Sequence, residues 1–173
     1  ALVAADQAPG LLRQHWGFSA WLGHVEEIWH ELLDEADERA ERGRERMPLI
    51  AGFDSDERSV DLARACARRA GLGESVIIKR RDLSELEPPA GAAGGLMITN
   101  PPYGVRLGDT DQLESLYQAL GQRLLVGFDG WQAAVFTSEE SLARATGLRS
   151  RAVHTFFNGT IETKLYLFDI SPQ

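Results

Sequence analysis

Two rhythms of apolar and polar positions run along this chain. Over residues 1–47 the rhythm is helical: Trp21, Val25, Ile28, Trp29, Leu32 and Ala36 fall on one stripe wide enough to face a core. Residues 1–47 therefore read as a helical segment. Its end, Glu35 to Arg46, holds nine charged residues of mixed sign in twelve. That is the pattern of a solvated helix end, and Pro48 stops it. From Pro48 short apolar runs alternate with helical stripes. Leu49–Phe53 reads as a buried strand that runs into Asp54-Ser55-Asp56 and a helix. The stripe of that helix is Val60, Ala63, Cys66, Ala67 and Ala70, and Gly71 or Gly73 ends it. Ser75–Lys79 is the next strand, followed by Asp82-Leu83. A loop rich in Pro, Ala and Gly spans Pro88–Gly95. The strand Leu96–Thr99 then breaks sharply at Asn100-Pro101-Pro102-Tyr103.

Leu113, Leu116, Tyr117, Leu120 and Leu124 mark a further helix, with Thr110 as its expected N-cap. Trp131–Phe136 is a strand. Thr137-x-x-Glu140 matches a capping box that opens a short helix, ended by Gly147. Ala152–Phe157 and Lys164–Ile170 are the last strands, with Asn158-Gly159 suggesting a turn between them. Strands alternating with helices predict an α/β domain with a mostly parallel sheet and an antiparallel C-terminal hairpin strand. Residues 48–173 form the body of this single domain, and residues 1–47 are its helical segment.

The sharpest chemistry is Asn100-Pro101-Pro102-Tyr103. It follows a buried strand, and ligands of open α/β sheets sit beyond the carboxyl ends of the strands. An exocyclic amine on a nucleobase is a poor nucleophile, because its lone pair is delocalised into the ring. The Asn100 carbonyl and a backbone carbonyl can accept its two hydrogens and free that lone pair to attack a methyl group. Pro101 and Pro102 remove two competing N–H donors and stiffen the loop. Tyr103 offers a flat face on which a flipped base can stack. Asn100 is neutral, so the chemistry is positioning and hydrogen bonding, not proton abstraction by a strong base. The plain alternative is a turn.

Asp54 stands at the end of the strand two units upstream, where a carboxylate can accept both hydroxyls of a ribose. Asp82 stands at the end of the following strand, where one can accept an adenine amino group. Either aspartate taken alone also fits a helix cap or a surface residue. The order Asp, Asp, Asn-Pro-Pro-Tyr at three strand ends carries more than any one of them.

Length and charge narrow the picture. With 173 residues there is room for one domain and a real core. No apolar run approaches the ~18 residues of a membrane span. A single cysteine, Cys66, excludes a disulfide framework and a cysteine-rich zinc site, and fits a reducing, cytoplasmic setting. His15, His24, His30 and His154 lack metal-ligand spacing, so no metal is expected. Eighteen basic against 26 acidic residues give a net charge of −8. That argues against a free-standing nucleic-acid binder held by phosphate contacts alone. It leaves room for an enzyme that borrows RNA affinity from another domain. Cys66 and the tryptophans Trp16, Trp21 and Trp29 are expected in the core. Arg106 is a candidate phosphate contact or a structural ion pair. Lys79-Arg80-Arg81 is expected as a solvated strand end, with RNA contact as the alternative.

Several stretches carry a family resemblance: Ala8-Pro9-Gly10-Leu11, Trp16-Gly17-Phe18-Ser19, Asn100-Pro101-Pro102-Tyr103-Gly104-Val105-Arg106-Leu107-Gly108, and Asn158-Gly159-Thr160-Ile161-Glu162-Thr163-Lys164-Leu165. Together they resemble the class I S-adenosylmethionine-dependent methyltransferases, and more closely the guanine-N2 (RlmL) domain of the bacterial bifunctional 23S rRNA methyltransferases of the RlmKL family. The resemblance implies S-adenosylmethionine as cofactor and methylation of the exocyclic N2 amine of a guanine in 23S rRNA. It implies that Asp54, with Ser55 beside it, holds the cofactor ribose, and that Asp82 with Leu83 holds the adenine. Asn100 would border the cofactor and, with Pro101, Pro102 and Tyr103, bind the target amine. Adenine-N6 methylation of DNA and a non-catalytic interaction module are the alternatives.

The family's Gly-rich first motif, its RNA-binding THUMP region and its guanine-N7 methyltransferase domain are not in these residues. The resemblance places the Gly-rich motif just before Ala1, so the chain is expected to be a fragment of a longer protein. The missing strand would lie between Leu49–Phe53 and Leu96–Thr99. That gap is closed by pairing the two strands directly, by a recruited strand, or by a strand outside the sequence, which is the expectation. These 173 residues alone are expected to bind the cofactor very weakly.

Overall fold

A computed structural model describes residues 1–104 and 110–171, and its contacts separate two units, Ala1–Arg81 and Asp82–Gln173. In the first unit a short 3₁₀ turn, Pro9–Leu12, precedes the helix α1, Glu26–Arg44. The expected helix over residues 1–47 is thus confined to its second half. Pro9, Gly10, Gly17 and Gly23 interrupt the earlier stretch, which runs as turns. The inner face of α1 is also rotated from the expected stripe. Trp29 meets Trp16 and Phe18 edge-on, with ring centroids 5.1 and 4.8 Å away. The less exposed positions are then Trp29, Leu33, Ala36 and Ala40, whereas Val25, Ile28 and Leu32 are exposed. The charged end behaves as read. Arg39 reaches Glu35 and makes a two-pronged bond to Asp6, and Arg42 reaches Glu38.

The strand β1, Ile50–Asp54, leads into the helix α2, Glu57–Arg69, and on to the strand β2, Val76–Arg80. β1 and β2 pair in parallel from Ile50 opposite Val76 to Asp54 opposite Arg80. Val60 is buried, and Ala70 and Leu72 pack against Ala5. Cys66 is exposed, contrary to expectation. Two strands cover too narrow a surface to take the full stripe of α2, so Ala63, Cys66 and the off-stripe Leu62 remain outside.

The second unit holds a four-stranded sheet. Its strands are β3 (Leu96–Thr99), β4 (Gln132–Thr137), β5 (Ala152–Asn158) and β6 (Ile161–Asp169), in the order β3-β4-β6-β5. β3 and β4 are parallel, and β6 is antiparallel to both of its neighbours. The helices are α3, Thr110–Gly127, and the short α4, Glu140–Ala145. Leu113, Tyr117, Leu120 and Leu124 of α3 share one core with Ala133 and Val135 of β4 and with Tyr166 and Phe168 of β6. Burying one large apolar side chain of this kind stabilises by about 1.5–3 kcal/mol relative to leaving it in water. This core is what gives β3 and β4 a firm base.

Three local expectations shift here. The helix α4 is capped by Glu139 without a side-chain bond, because β4 runs on to Thr137, whose hydroxyl accepts from the Glu139 N–H at 3.2 Å. The final strand begins at Ile161, not Lys164, so the hairpin closes over Gly159-Thr160 and Asn158 becomes a strand residue paired with Ile161. Gly159, at φ 64°, supplies the left-handed corner of that turn. The N-cap role read for Thr110 lies outside the described side chains. Among the described residues β1 pairs with β2 alone and β3 with β4 alone.

Candidate functional site

Asp54, Asp82 and Asn100 each lie at or just beyond the end of a strand. Asp54 is the last residue of β1 and is exposed. The helix that follows is not capped by Asp54. Asp56 is its N-cap, accepting from the Arg58 N–H at 3.2 Å, the Ser59 N–H at 3.3 Å and the Ser59 hydroxyl at 3.0 Å. These bonds, the Arg58 N–H first among them, hold the Asp56 carboxyl below the usual aspartate value. The Asp54 side chain has one described bond, from the Asp56 N–H to its Oδ1 at 2.9 Å, and its backbone carbonyl accepts from the Arg81 N–H at 2.9 Å. Ser55 is fixed through its carbonyl, which accepts from Arg80 Nε at 3.0 Å. Arg81 places its guanidinium 4.4 Å from the centre of the Phe53 ring. Arg80 and Arg81 of the basic run at the end of β2 therefore have partners within this unit.

In the second unit Asp82 does cap, as the plain reading of it allowed. It starts the 3₁₀ turn Leu83–Glu85, and its Oδ1 accepts from the Ser84 N–H at 2.9 Å and the Ser84 hydroxyl at 2.7 Å. Leu83 and Leu86 pack against the main core. Arg123 of α3 donates from Nε to the Leu86 carbonyl at 3.1 Å, and from Nη2 to the same oxygen. Arg123 thereby ties the turn that carries Asp82 to the helix. The sequence offered no signal for it beyond a lone arginine on a helix.

Asn100 follows the last paired residue of β3, Thr99, and is exposed. Pro101 and Pro102 continue the chain without N–H donors, and Gly104, at φ 79°, turns it in the left-handed conformation that glycine adopts readily. Tyr103 is half-buried against the same core as Leu83 and Met97. Its hydroxyl accepts from Asn158 Nδ2 at 3.1 Å. The structure thus brings Leu83 and Tyr103 to one core, and Asn100 is exposed. Arg106, with Val105, Leu107 and Gly108, lies outside the described residues.

Beneath this loop Tyr117 is fully buried, and its hydroxyl lacks a well-formed hydrogen bond. Burial pushes its phenol above the usual tyrosine value, and the Thr137 side chain offsets part of that. Trp16 and Trp29 pack against each other as a half-buried pair outside the two core clusters, and Trp21 is exposed. A shallow depression of about 200 Å³ beside α4 is lined by Arg144, Val153 and Tyr166 and contains none of the singled-out residues. Among the described residues no group of His, Cys, Asp and Glu comes together to hold a metal ion, and no helix is long and apolar enough to cross a membrane.

Strands and helices alternating in this order, with a parallel pair in the first unit and a mixed sheet in the second, make up the α/β fold of the S-adenosylmethionine-dependent methyltransferases. The chain belongs to the RMKL-like, methyltransferase domain family, whose profile matches residues 1–166. It is 47% identical over its full length to a ribosomal RNA large subunit methyltransferase K/L from Syntrophotalea carbinolica, and 44% identical to the protein of that name from Methylococcus capsulatus. It spans 24% and 23% of their lengths. Among solved structures it is similar to SMU.472 complexed with SAH, at 29% identity and a TM-score of 0.88, over 99% of this chain and 44% of that one. A Listeria monocytogenes protein described as a predicted N6-adenine-specific DNA methylase matches at 25% identity and a TM-score of 0.84, over 98% of this chain and 42% of that one.

Proposed function

We propose that this chain is part of an S-adenosylmethionine-dependent enzyme that methylates the exocyclic N2 amine of a guanine in 23S rRNA. The observation that carries this reading is the loop Asn100–Tyr103. It leaves the carboxyl end of β3 with an exposed asparagine, no N–H donors on its two prolines, and an aromatic ring packed against the core and bonded at its hydroxyl. The names of the curated relatives support a large-subunit rRNA substrate. The SAH of the similar solved structure supports the cofactor.

Each unit offers residues suited to the cofactor's nucleoside end. Asp56 relieves Asp54 of capping, so the Asp54 carboxylate is available to accept two ribose hydroxyls, with Ser55 fixed beside it. Asp82 and Leu83 would hold the adenine between a carboxylate and an apolar side chain. Among the described residues no strand runs into a glycine-rich turn and a helix of the kind that cradles the methionine end. S-adenosylmethionine, when bound, supplies an electrophilic methyl group on a sulfonium. Asn100 would accept one hydrogen of the target amine through Oδ1, and a backbone carbonyl of its loop would accept the other. The nitrogen is thereby drawn towards tetrahedral geometry and its lone pair is freed. Tyr103 would stack on the base and set its height.

The test uses the complete encoded protein and tritiated S-adenosylmethionine, offered 23S rRNA in one arm and plasmid DNA in the other. Label recovered as N2-methylguanosine from rRNA is the expected result. Label in DNA adenine, towards which the name of the Listeria protein points, would overturn the reading.

A further inference from the structure

The turn at Asn158 was legible in the sequence only as a turn, yet the side chain of Asn158 is the one described hydrogen-bond partner of the Tyr103 hydroxyl. We propose that Asn158 is a positioning residue for the base-stacking tyrosine, a reading that rests on the function proposed above. Three observations carry it. Asn158 ends β5 and pairs with Ile161 across Gly159-Thr160, so its backbone is held by a two-residue hairpin. Its Nδ2 donates to the Tyr103 oxygen at 3.1 Å across 55 residues of sequence. The Tyr103 ring leans on the core that carries Met97 and Leu83, so the ring is braced along one side and tethered at its tip.

A phenol oxygen lies on the axis about which its ring rotates. A bond to that oxygen leaves ring flips free but stops the ring from swinging sideways or tilting. Those are the motions that would misplace a stacked base, and a misplacement of about 1 Å can cost ~100-fold in rate. Asn158 itself is exposed and touches no group proposed to react. Its contribution therefore passes through Tyr103.

The experiment is a double-mutant cycle in the complete protein, with Asn158→Ala, Tyr103→Phe and the pair. Tyr103→Phe keeps the ring and loses only the tether. Each single change should lower kcat for rRNA methylation about fivefold, the scale of one neutral hydrogen bond. The double variant should fall no further than either single one, while cofactor affinity and the thermal midpoint stay at wild-type values. Effects that multiply in the double variant would overturn the proposal, as would Asn158→Ala at wild-type kcat. A second readout is the Asn158 side-chain amide resonance, which should move in Tyr103→Phe; an unmoved resonance would overturn the tether directly. Absence of rRNA methylation by the wild type would instead overturn the function proposed above, and the tether would then stand or fall on that resonance.

Discussion

In the unit Asp82–Gln173, two helices cover one face of a four-stranded sheet, and the buried core runs from Leu113 through Tyr117 and Val135 to Phe168. In Ala1–Arg81, a two-stranded sheet accompanies a small buried group, Ala5, Ala70 and Leu72, while Leu22, Ile28, Leu32, Leu62 and Ile77 stay exposed. The loop proposed to hold the base is built on the well-packed unit, and the carboxylate proposed to hold the ribose is on the sparse one. The two tasks tolerate this difference unequally. Orienting an amine for attack needs a rigid base, because its benefit is confined to one geometry. A carboxylate that accepts two hydroxyls works through charge-assisted bonds and adapts with its strand.

Separating turnover from affinity is the sharpest way to break that contrast. In the complete protein, Asn100→Ala should reduce kcat for rRNA methylation by roughly 100-fold, the scale for removing one preorganised hydrogen-bonding group. Cofactor affinity should stay within several-fold. Asp54→Ala should do the reverse, weakening cofactor binding about tenfold, since each charge-assisted bond is worth about 1.5–3 kcal/mol. Steady-state kinetics and calorimetric titration read the two. Near-normal methylation by Asn100→Ala would remove that residue from the site. Unchanged affinity in Asp54→Ala would leave it a surface carboxylate.

The packing of the two units can be challenged at one glycine in each. A Cβ on Gly121 would lie 1.7 Å from the Thr146 carbonyl oxygen, and one on Gly43 would lie 2.0 Å from the Ala5 carbonyl oxygen. Both glycines sit in helices, where alanine is intrinsically better by roughly 0.5–1 kcal/mol. Close backbone approach therefore explains the glycines. Gly121→Ala must push α4 off α3 over the main core, so its cost should reach about 1–3 kcal/mol and appear as a lower global melting temperature. Gly43→Ala displaces only the segment around Ala5, and should show as lost amide protection near Ala1–Gln7 with a smaller global shift. Equal global shifts would mean that the two units are equally consolidated.

The same asymmetry explains what could be read from the sequence. Leu96–Thr99 and the loop after it were legible to the residue, because a short apolar run ending in two prolines admits one interpretation. The stripe of α3 was legible because its residues do enter a core. In the sparse unit periodicity misled. The rhythm through Val25, Ile28 and Leu32 predicts an inner face, but Trp29 turns towards Trp16 and Phe18 and moves that face by about one position. Cys66 fits a helical stripe, but its own unit presents too little surface to cover it. The partners of the candidate site were the least legible. Asn158 meets Tyr103, and Arg123 meets Leu86, only through tertiary pairing that no local spacing encodes.

The smallest expected effect is on pH, and it separates the units by sign. Two carboxyls of Ala1–Arg81 are held below their usual range, Asp6 through its bond to Arg39 and Asp56 through the Arg58 N–H. A depressed carboxyl contributes stability that is present above its unfolded pKa and is lost as pH falls through the folded one. The phenols raised by burial, Tyr117 and Tyr166, both belong to Asp82–Gln173. A raised phenol contributes stability that is present below its unfolded pKa and is lost as pH rises through the folded one. Acid should therefore loosen the segments around Asp6 and Asp56 of the first unit, and alkali the core of the second. Amide exchange resolved by peptide and corrected for intrinsic rate follows each separately. Both acidic groups are exposed, so solvent screening keeps the acid effect modest. Asp56→Asn retains a capping side chain while removing the titration, and should flatten the acid limb in the peptides of α2 alone. An acid limb that keeps its shape in that variant, or that begins in the peptides of α3 and β4, would mean that the first unit is not the acid-sensitive one.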